Sequence, residues 1–161
     1  MDAVSTPGDF WVVLWRLLLS TLCGAAVGFN REMWNKPAGL RTHALVSLGA
    51  TLITLVSLLL ALPGTSDLAA PGRVLQGLLA GIGFIGGGVI LHRERSGEVE
   101  GLTTAASILV VAAIGAAVGA GLWRTALAAV TLALVILSVG GLDRAVQKMG
   151  EDKKTREDKS R

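Results

Sequence analysis

The chain has 161 residues, of which 52% are hydrophobic and 21 are glycine, and its mean hydropathy is +0.60. A globule of this size cannot bury so much apolar side chain, so the composition excludes an ordinary soluble domain and long disorder. The single cysteine excludes an internal disulfide. A pI near 9.5 can indicate nucleic-acid binding, and the positions of the charges decide that question.

Five uninterrupted apolar stretches predict membrane-spanning helices, because about 18 to 20 residues cross a hydrocarbon core of roughly 30 Å. They cover residues 10–29, 44–62, 74–91, 104–122 and 125–142. Barrel strands are excluded because their apolar residues alternate. The sequence therefore predicts an all-α, polytopic membrane helix bundle, with a transmembrane domain at 1–143 and a short charged cytoplasmic tail at 144–161.

The charges indicate how the bundle lies in the membrane. Asp2 and Asp9 precede the first span and no Lys or Arg does, so this span is predicted to be a permanent anchor and not a signal peptide. Twelve of the 15 Lys and Arg residues lie in 30–43, 92–103 and the tail. Basic loops stay in the cytoplasm, which predicts the N-terminus outside and the C-terminus inside. The basic pI is thus a topology signal and does not indicate nucleic acid.

Glycines recur at four-residue spacing and predict close helix packing, which small residues permit in lipid. The pairs are Gly24 and Gly28, Gly77 and Gly81, Gly83 and Gly87, and Gly115 and Gly119. The third span is so rich in glycine that it would be weak alone, so we expect it to lie centrally, held by its neighbours. The fourth and fifth spans are expected to form a tight antiparallel hairpin around Trp123 and Arg124.

The run of three glycines at 86–88 has two interpretations, and both stay open at this point. The glycines could serve close helix packing alone. They could also mark a locally broken helix whose backbone carbonyls and amides line a polar cavity, as in transporters.

The segment 30–43 concentrates polar residues and has two interpretations. It could be an interfacial loop with positive-inside charges, or a polar site at the cytoplasmic edge in which Arg41 and His43 face the end of the first span. Thr42 is predicted to cap the second helix, and Glu32 could pair with a lysine four residues on. The ionisable and amide side chains here are Asn30, Arg31, Glu32, Asn35, Lys36, Arg41 and His43.

Nothing in the chain predicts catalysis, a cofactor or a bound metal. No Asp or Glu lies within a span, so a carboxylate site for Mg²⁺ inside the membrane is not supported. His43 and His92 lack the clustered partners of a zinc site and are expected to be interfacial. Cys23 is expected to be a packing residue, and Arg16 to extend to the outer surface.

Three motifs carry a resemblance to a known family. AGLRTHALVSLGA at 38–50, GLLAGIGFIGGGVIL at 77–91 and EGLTTAASILVVAAIGAAVGAGL at 100–122 resemble the membrane domain of the MgtC/SapB family. The resemblance covers roughly 20–142. The sequence departs from the family in two ways. It has Asn30 where an acid is usual, and it lacks the cytoplasmic ACT-like domain of the virulence members.

The resemblance implies a multi-pass protein of the bacterial inner membrane, linked to growth at low Mg²⁺ or to virulence. It implies a non-enzymatic role on membrane partners such as ATP synthase or a P-type ATPase. A homo-oligomer, with a dimer favoured, is expected in the lipid bilayer. The alternative is a small oligomeric transporter or channel, for Mg²⁺, protons or another ion, that uses the glycine-rich third helix.

The candidate functional residues lie at the end of the first span and in the three motifs. Among them, Arg41→Ala and Gly83→Leu are expected to disrupt function. Gly101 is expected to allow a tight turn before the fourth helix, with a threonine cap after it. The candidates are Asn30, Arg31, Glu32, Lys36, Gly39, Arg41, Thr42, His43, Gln76, Gly81, Gly83, Phe84, Gly86, Gly88, Gly101, Thr103, Thr104 and Ser107.

Overall fold

The structure, a computed structural model, describes residues 9–60, 69–91 and 101–139. They form five helices, α1 (Phe10–Met33), α2 (Leu40–Leu59), α3 (Ala69–Leu91), α4 (Leu102–Gly119) and α5 (Trp123–Val139), and these described residues contain no strand. Helices α1 to α4 are each long and apolar enough to cross a membrane. The predicted all-α bundle of about five helices is confirmed, while its orientation stays a prediction.

Local backbone geometry explains where several helices begin and end. Asp9 caps α1, because its Oδ1 accepts a hydrogen bond from the amide of Trp11 at 3.1 Å. Gly101 precedes α4 with a φ of +95°, and Gly121 turns the chain between α4 and α5 with a φ of +84°. Glycine adopts this left-handed conformation without steric cost. The predicted hairpin is therefore present, but its turn lies at 120–122, one residue before Trp123.

The threonine caps predicted from the sequence are wrong. Gly39 is the N-cap residue of α2, and Gly101 is the N-cap residue of α4. Glycine has no side chain, so neither cap residue can accept a hydrogen bond from the first amides of its helix. Thr42 and Thr103 lie exposed in the first turns of these helices, and Thr104 is buried. Both helices begin before the threonines because glycine, which has no side-chain signal, occupies the cap.

Helix α4 lies at the centre of the bundle. Half of its span is buried, against 11% of the α3 span. Val111, Ile114 and Val118 of α4 pack in one apolar cluster with Cys23 of α1 and with the start of α5, while Ile108 packs in a second cluster with α2 and α3. The packing role predicted for Cys23 is confirmed.

Glycines of α1 and α4 allow both helices to approach α2 closely. A Cβ atom added at Gly24, Gly28, Gly115 or Gly119 would lie less than 3.0 Å from a backbone atom of α2. Backbone atoms cannot move aside as a flexible side chain can, so these four positions require glycine. Close packing at the glycine pairs of the first and fourth spans is confirmed.

The prediction that the third span is central is wrong, because α3 lies at the edge of the bundle. A Cβ atom at Gly77, Gly81 or Gly83 would meet nothing within 4 Å. Helices α1 and α4 pack closely against α2 through their glycines. Among helices α1 to α4, helix α3 contacts only α2 and α4, and it does so along one of its sides.

Helix α3 is continuous through Gly86, Gly87 and Gly88, so the structure gives no support to a locally broken helix. Gly86 faces Ala105 of α4, and a Cβ atom added at Gly86 would lie 3.4 Å from the Cβ of Ala105. One glycine of the run therefore serves close packing within the bundle.

Candidate functional site

A buried polar cluster lies where α1 ends and where α2 and α4 begin, at what we call the Arg31 end of the bundle. It consists of Arg31, His43, Thr104 and Ser107, each no more than 5% exposed. Polar groups removed from water cost free energy unless hydrogen bonds compensate them. The contacts of these side chains therefore define what this cluster can do.

Arg31 links the end of α1 to the start of α4. It lies in the last turn of α1, and its Nη2 donates a hydrogen bond to Thr104 Oγ1 at 2.6 Å. The guanidinium keeps its charge at any physiological pH. A cation in the last turn of α1 also interacts favourably with the helix dipole.

His43 links α2 to α4 and is completely buried. Its Nδ1 lies 3.0 Å from the carbonyl oxygen of Gly39, one turn earlier, and its Nε2 lies 3.0 Å from Ser107 Oγ. Ser107 Oγ also lies 2.8 Å from the carbonyl oxygen of Thr104. The prediction of an interfacial His43 is wrong, because α2 begins at Leu40 and carries this side chain inside the bundle.

Glu32 compensates for the missing cap of α2. Its Oε2 accepts a hydrogen bond from the backbone amide of Leu40 at 3.1 Å. A carboxylate at a helix N-terminus is also favoured by the helix dipole. A Cβ atom at Gly39 would lie 2.9 Å from the same oxygen, so glycine at 39 gives the carboxylate access.

A row of hydroxyl groups continues from His43 along the buried side of α2. Thr51 donates to the carbonyl oxygen of Gly115 on α4 at 2.7 Å, while Thr54 and Ser57 donate to carbonyl oxygens of α2 itself. Ser47 Oγ is buried without a hydrogen-bond partner. The bonded hydroxyls thus satisfy backbone groups and do not form a chain from one to the next.

Arg16 lies near the opposite end of the bundle. It is partly buried, and its Nη1 donates to the carbonyl oxygen of Gly119, at the C-terminus of α4, at 2.9 Å. The last carbonyls of a helix lack intrahelical partners and attract cations. Arg16 thus joins α1 to the end of α4. The sequence predicted only that its side chain extends to the outer surface, and it did not predict this contact.

Asn30 points towards α5 and lies apart from the buried cluster. Its Nδ2 donates to Ser138 Oγ at 3.0 Å. This contact uses the amide as a donor, which an ionised acid at this position could not supply.

The structure brings some sequence candidates together and separates others. Six meet at the Arg31 end, namely Arg31, Glu32, Gly39, His43, Thr104 and Ser107. Others are exposed, namely Arg41, Thr42, Gln76, Gly81, Gly83, Phe84, Gly88 and Thr103. Lys36 and Gly101 are partly buried in the connections, and Gly86 is buried. His92 lies outside the described residues, and the functional roles of all these residues stay predictions.

Sequence reasoning missed the hydroxyl row. Its signal is the spacing of His43, Ser47, Thr51, Thr54 and Ser57, which are three or four residues apart and so share one face of a helix. The apolar run around them masked this pattern.

The buried cluster has limited chemical capability. A serine hydroxyl beside a histidine can form a nucleophile, but Ser107 and His43 are enclosed by packed helices and offer no room to a substrate. Among the described residues no three His, Cys, Asp or Glu side chains group together to hold a metal. The arrangement fits the coupling of helices better than covalent chemistry.

Comparison of the sequence with known proteins finds several relatives. SrpB of Synechococcus elongatus is 43% identical over 148 residues, covering 86% of this chain and 80% of that protein. The putative magnesium transporter YhiD of Escherichia coli is 37% identical, covering 77% of this chain and 58% of that protein. MgtC of Salmonella typhimurium is 40% identical, covering 73% and 48%. The chain thus spans from about half to four fifths of the length of these relatives. No solved structure matches it.

Apolar helices joined by buried hydrogen bonds and glycine contacts define a polytopic helical membrane protein. The sequence profile of the MgtC family matches residues 17–143, which include all of α2 to α5 and most of α1. The chain belongs to the MgtC family.

Proposed function

We propose that this protein acts without catalysing a reaction, by binding a transmembrane helix of a partner membrane protein through one face of α3. The observation that carries the proposal is the exposure of this face, which we call the outer face of α3. It consists of the exposed residues Gly77, Ala80, Gly81, Phe84 and Gly88 and of the partly buried Gly87.

The outer face is a continuous stripe along α3. Its members are spaced three or four residues apart, so they lie on one side of the helix. Phe84 projects from the middle of the stripe and is 86% exposed. The opposite side of α3 carries Ile82 and Gly86, which pack towards the rest of the bundle.

The energetics of helices in lipid support a binding role for this face. Apolar surface gains little by leaving lipid, so helices associate through the close backbone contact that small residues allow. Glycine also weakens a helix, by about 1 kcal/mol relative to alanine in water. Glycines 77, 81, 87 and 88 bring that cost, and a Cβ atom at any of them would meet nothing within 4 Å. Contact with a further helix would offset it.

An apolar groove beside the outer face adds to this surface. It lies between α2 and α3, has a volume of about 460 Å³, and includes Gly77, Gly81 and Ile53 in its lining. Side chains of a partner helix that crosses the outer face could enter this groove.

The relatives support a cellular context for the binding role. The name of YhiD describes that relative as a putative magnesium transporter. We place this chain in the bacterial inner membrane, in a role linked to growth at low Mg²⁺ or to virulence. Candidate partners are a second copy of the chain, ATP synthase or a P-type ATPase.

The ion-transport alternative has less support than helix binding. It relied on a broken third helix, and α3 is continuous. Moreover, Thr51, Thr54 and Ser57 turn their hydroxyls to backbone carbonyls, which leaves no linked row of exchangeable groups along the described part of α2.

Photo-crosslinking in native membranes tests the proposal. A photoreactive phenylalanine analogue replaces Phe84 in one variant and Phe29 in the control. Phe29 is 56% exposed on α1, away from the outer face. We expect a discrete protein adduct from position 84 and lipid adducts from position 29, and mass spectrometry would distinguish a second copy from another protein. Lipid adducts alone from both positions would contradict the proposal.

A further inference from the structure

The hydrogen-bond geometry around His43 implies two alternative proton arrangements. The Gly39 carbonyl can only accept, so the hydrogen of that 3.0 Å contact lies on His43 Nδ1. Ser107 has a single hydroxyl hydrogen but lies near two acceptors, a neutral His43 Nε2 at 3.0 Å and the Thr104 carbonyl at 2.8 Å. It cannot donate fully to both.

Each protonation state of His43 selects one of the two arrangements. With a neutral ring, Ser107 donates to Nε2. With a charged ring, Nε2 donates to Ser107 Oγ, and the hydroxyl turns to the Thr104 carbonyl. Every donor finds an acceptor in both states while the heavy atoms stay in place, so the contact can take up a proton without an orphaned polar group.

The charges around His43 determine what that proton would do. Helix α1 contributes the guanidinium of Arg31 and the carboxylate of Glu32, which is engaged with the start of α2. It also carries Cys23, which is packed in the apolar core. On α2 itself Arg41 is exposed, and α4 contributes only hydroxyls among its described residues. Among their described residues, α3 and α5 place no titratable group at the Arg31 end of the bundle.

We propose that His43 and Ser107 form an acid-sensitive contact between α2 and α4. A proton taken from water binds His43 Nε2 and reverses the Ser107 hydroxyl. It thereby adds a second buried positive charge next to Arg31, which is bonded to the same turn of α4. The two cations repel each other in a medium of low dielectric constant, which weakens the packing of α1 and α2 on α4. This inference does not depend on the proposed role of α3.

Nitrogen NMR of the full chain in lipid bilayers tests the proton arrangement. The sample is the His92→Gln variant labelled with ¹⁵N-histidine, so that His43 gives the only ring signals. We expect a protonated Nδ1 and a bare Nε2 at about pH 8, and protonation of both nitrogens as the pH falls to about 5. A hydrogen on Nε2 with a bare Nδ1 at about pH 8, or no change over this range, would overturn the proposal.

Thermal unfolding in detergent tests the consequence for packing. We expect the midpoint of the His92→Gln variant to fall between about pH 8 and about pH 5 by about 2–4 °C more than that of the double variant, which carries His43→Gln together with His92→Gln. The other ionisable groups are common to both proteins and cancel in the comparison. Equal pH dependence of the two variants would overturn the effect on packing. Should the double variant fail to fold, Ser107→Ala in the His92→Gln background replaces it. Its midpoint should fall more steeply with pH than that of His92→Gln, because the charged ring then lacks its acceptor.

Discussion

At the scale of single residues, glycine has two different roles in this bundle. At Gly24 and Gly115 its missing side chain lets a neighbouring helix approach the backbone of α2. At Gly77 and Gly81 it leaves an open surface. The same residue type at the same four-residue spacing therefore serves internal packing in α1 and α4 and remains available in α3.

Replacement of Gly24 by alanine tests the internal role. The added methyl group would collide with the backbone of α2 at His43, so we expect Gly24→Ala to lower the free energy of unfolding by about 1–3 kcal/mol. The matched control is Gly49→Ala in α2, where a Cβ atom meets nothing within 4 Å. That change should stabilise the helix by up to about 1 kcal/mol. Reversible unfolding in detergent measures both, and equal stability of the two variants would contradict the assignment.

At the scale of helices, α3 differs from the rest of the bundle. It is the least buried of the four long helices, although its sequence is the richest in glycine. A helix that its own chain holds weakly can be displaced or joined by another helix more easily than α4, half of whose residues are buried. We therefore assign internal stability to α1, α2 and α4, and we propose α3 as the helix that contacts partners.

A large side chain on the outer face should leave the fold intact. Gly81 is exposed and has open space at its Cβ position, so we expect Gly81→Leu to preserve expression and the midpoint of thermal unfolding within about 2 °C. The exposed Ala128 of α5 supplies the control substitution Ala128→Leu. A loss of folded protein in the Gly81→Leu variant alone would show that α3 is held more tightly than the structure indicates.

The sequence predicted the number of helices because length and hydropathy determine it. It placed Arg31 in a polar segment and Arg16 at the outer surface, but it did not predict the contact of either side chain with α4. It could not predict which glycine-rich helix is central, since GxxxG pairs in the first, third and fourth spans look alike. It placed His43 at the surface because the helix start at Leu40 carries no side-chain cap. The gathering of Arg31, Thr104 and Ser107 depends on the pairing of α1 with α4, which no local pattern contains.

At the scale of the whole molecule, the distribution of basic residues predicts that the Arg31 end faces the cytoplasm. Green fluorescent protein fused to the C-terminus should fluoresce, because it folds only on the cytoplasmic side, and alkaline phosphatase fused there should be inactive. The predicted orientation rests on twelve basic residues on one side and three on the other. An active phosphatase fusion together with a non-fluorescent fluorescent-protein fusion would show that the orientation is the opposite of the predicted one.

The whole molecule combines a glycine-packed core of α1, α2 and α4 with the exposed helix α3. We propose the outer face of α3 as the place where a partner helix binds. The most direct measurement is the yield of the protein adduct formed from the photoreactive residue at position 84, with and without Gly81→Leu. Because Gly81 lies one turn from Phe84 on the same face, we predict that Gly81→Leu abolishes the protein adduct, whereas Ala128→Leu leaves it unchanged. An undiminished adduct in the Gly81→Leu variant, at equal expression, would contradict the account.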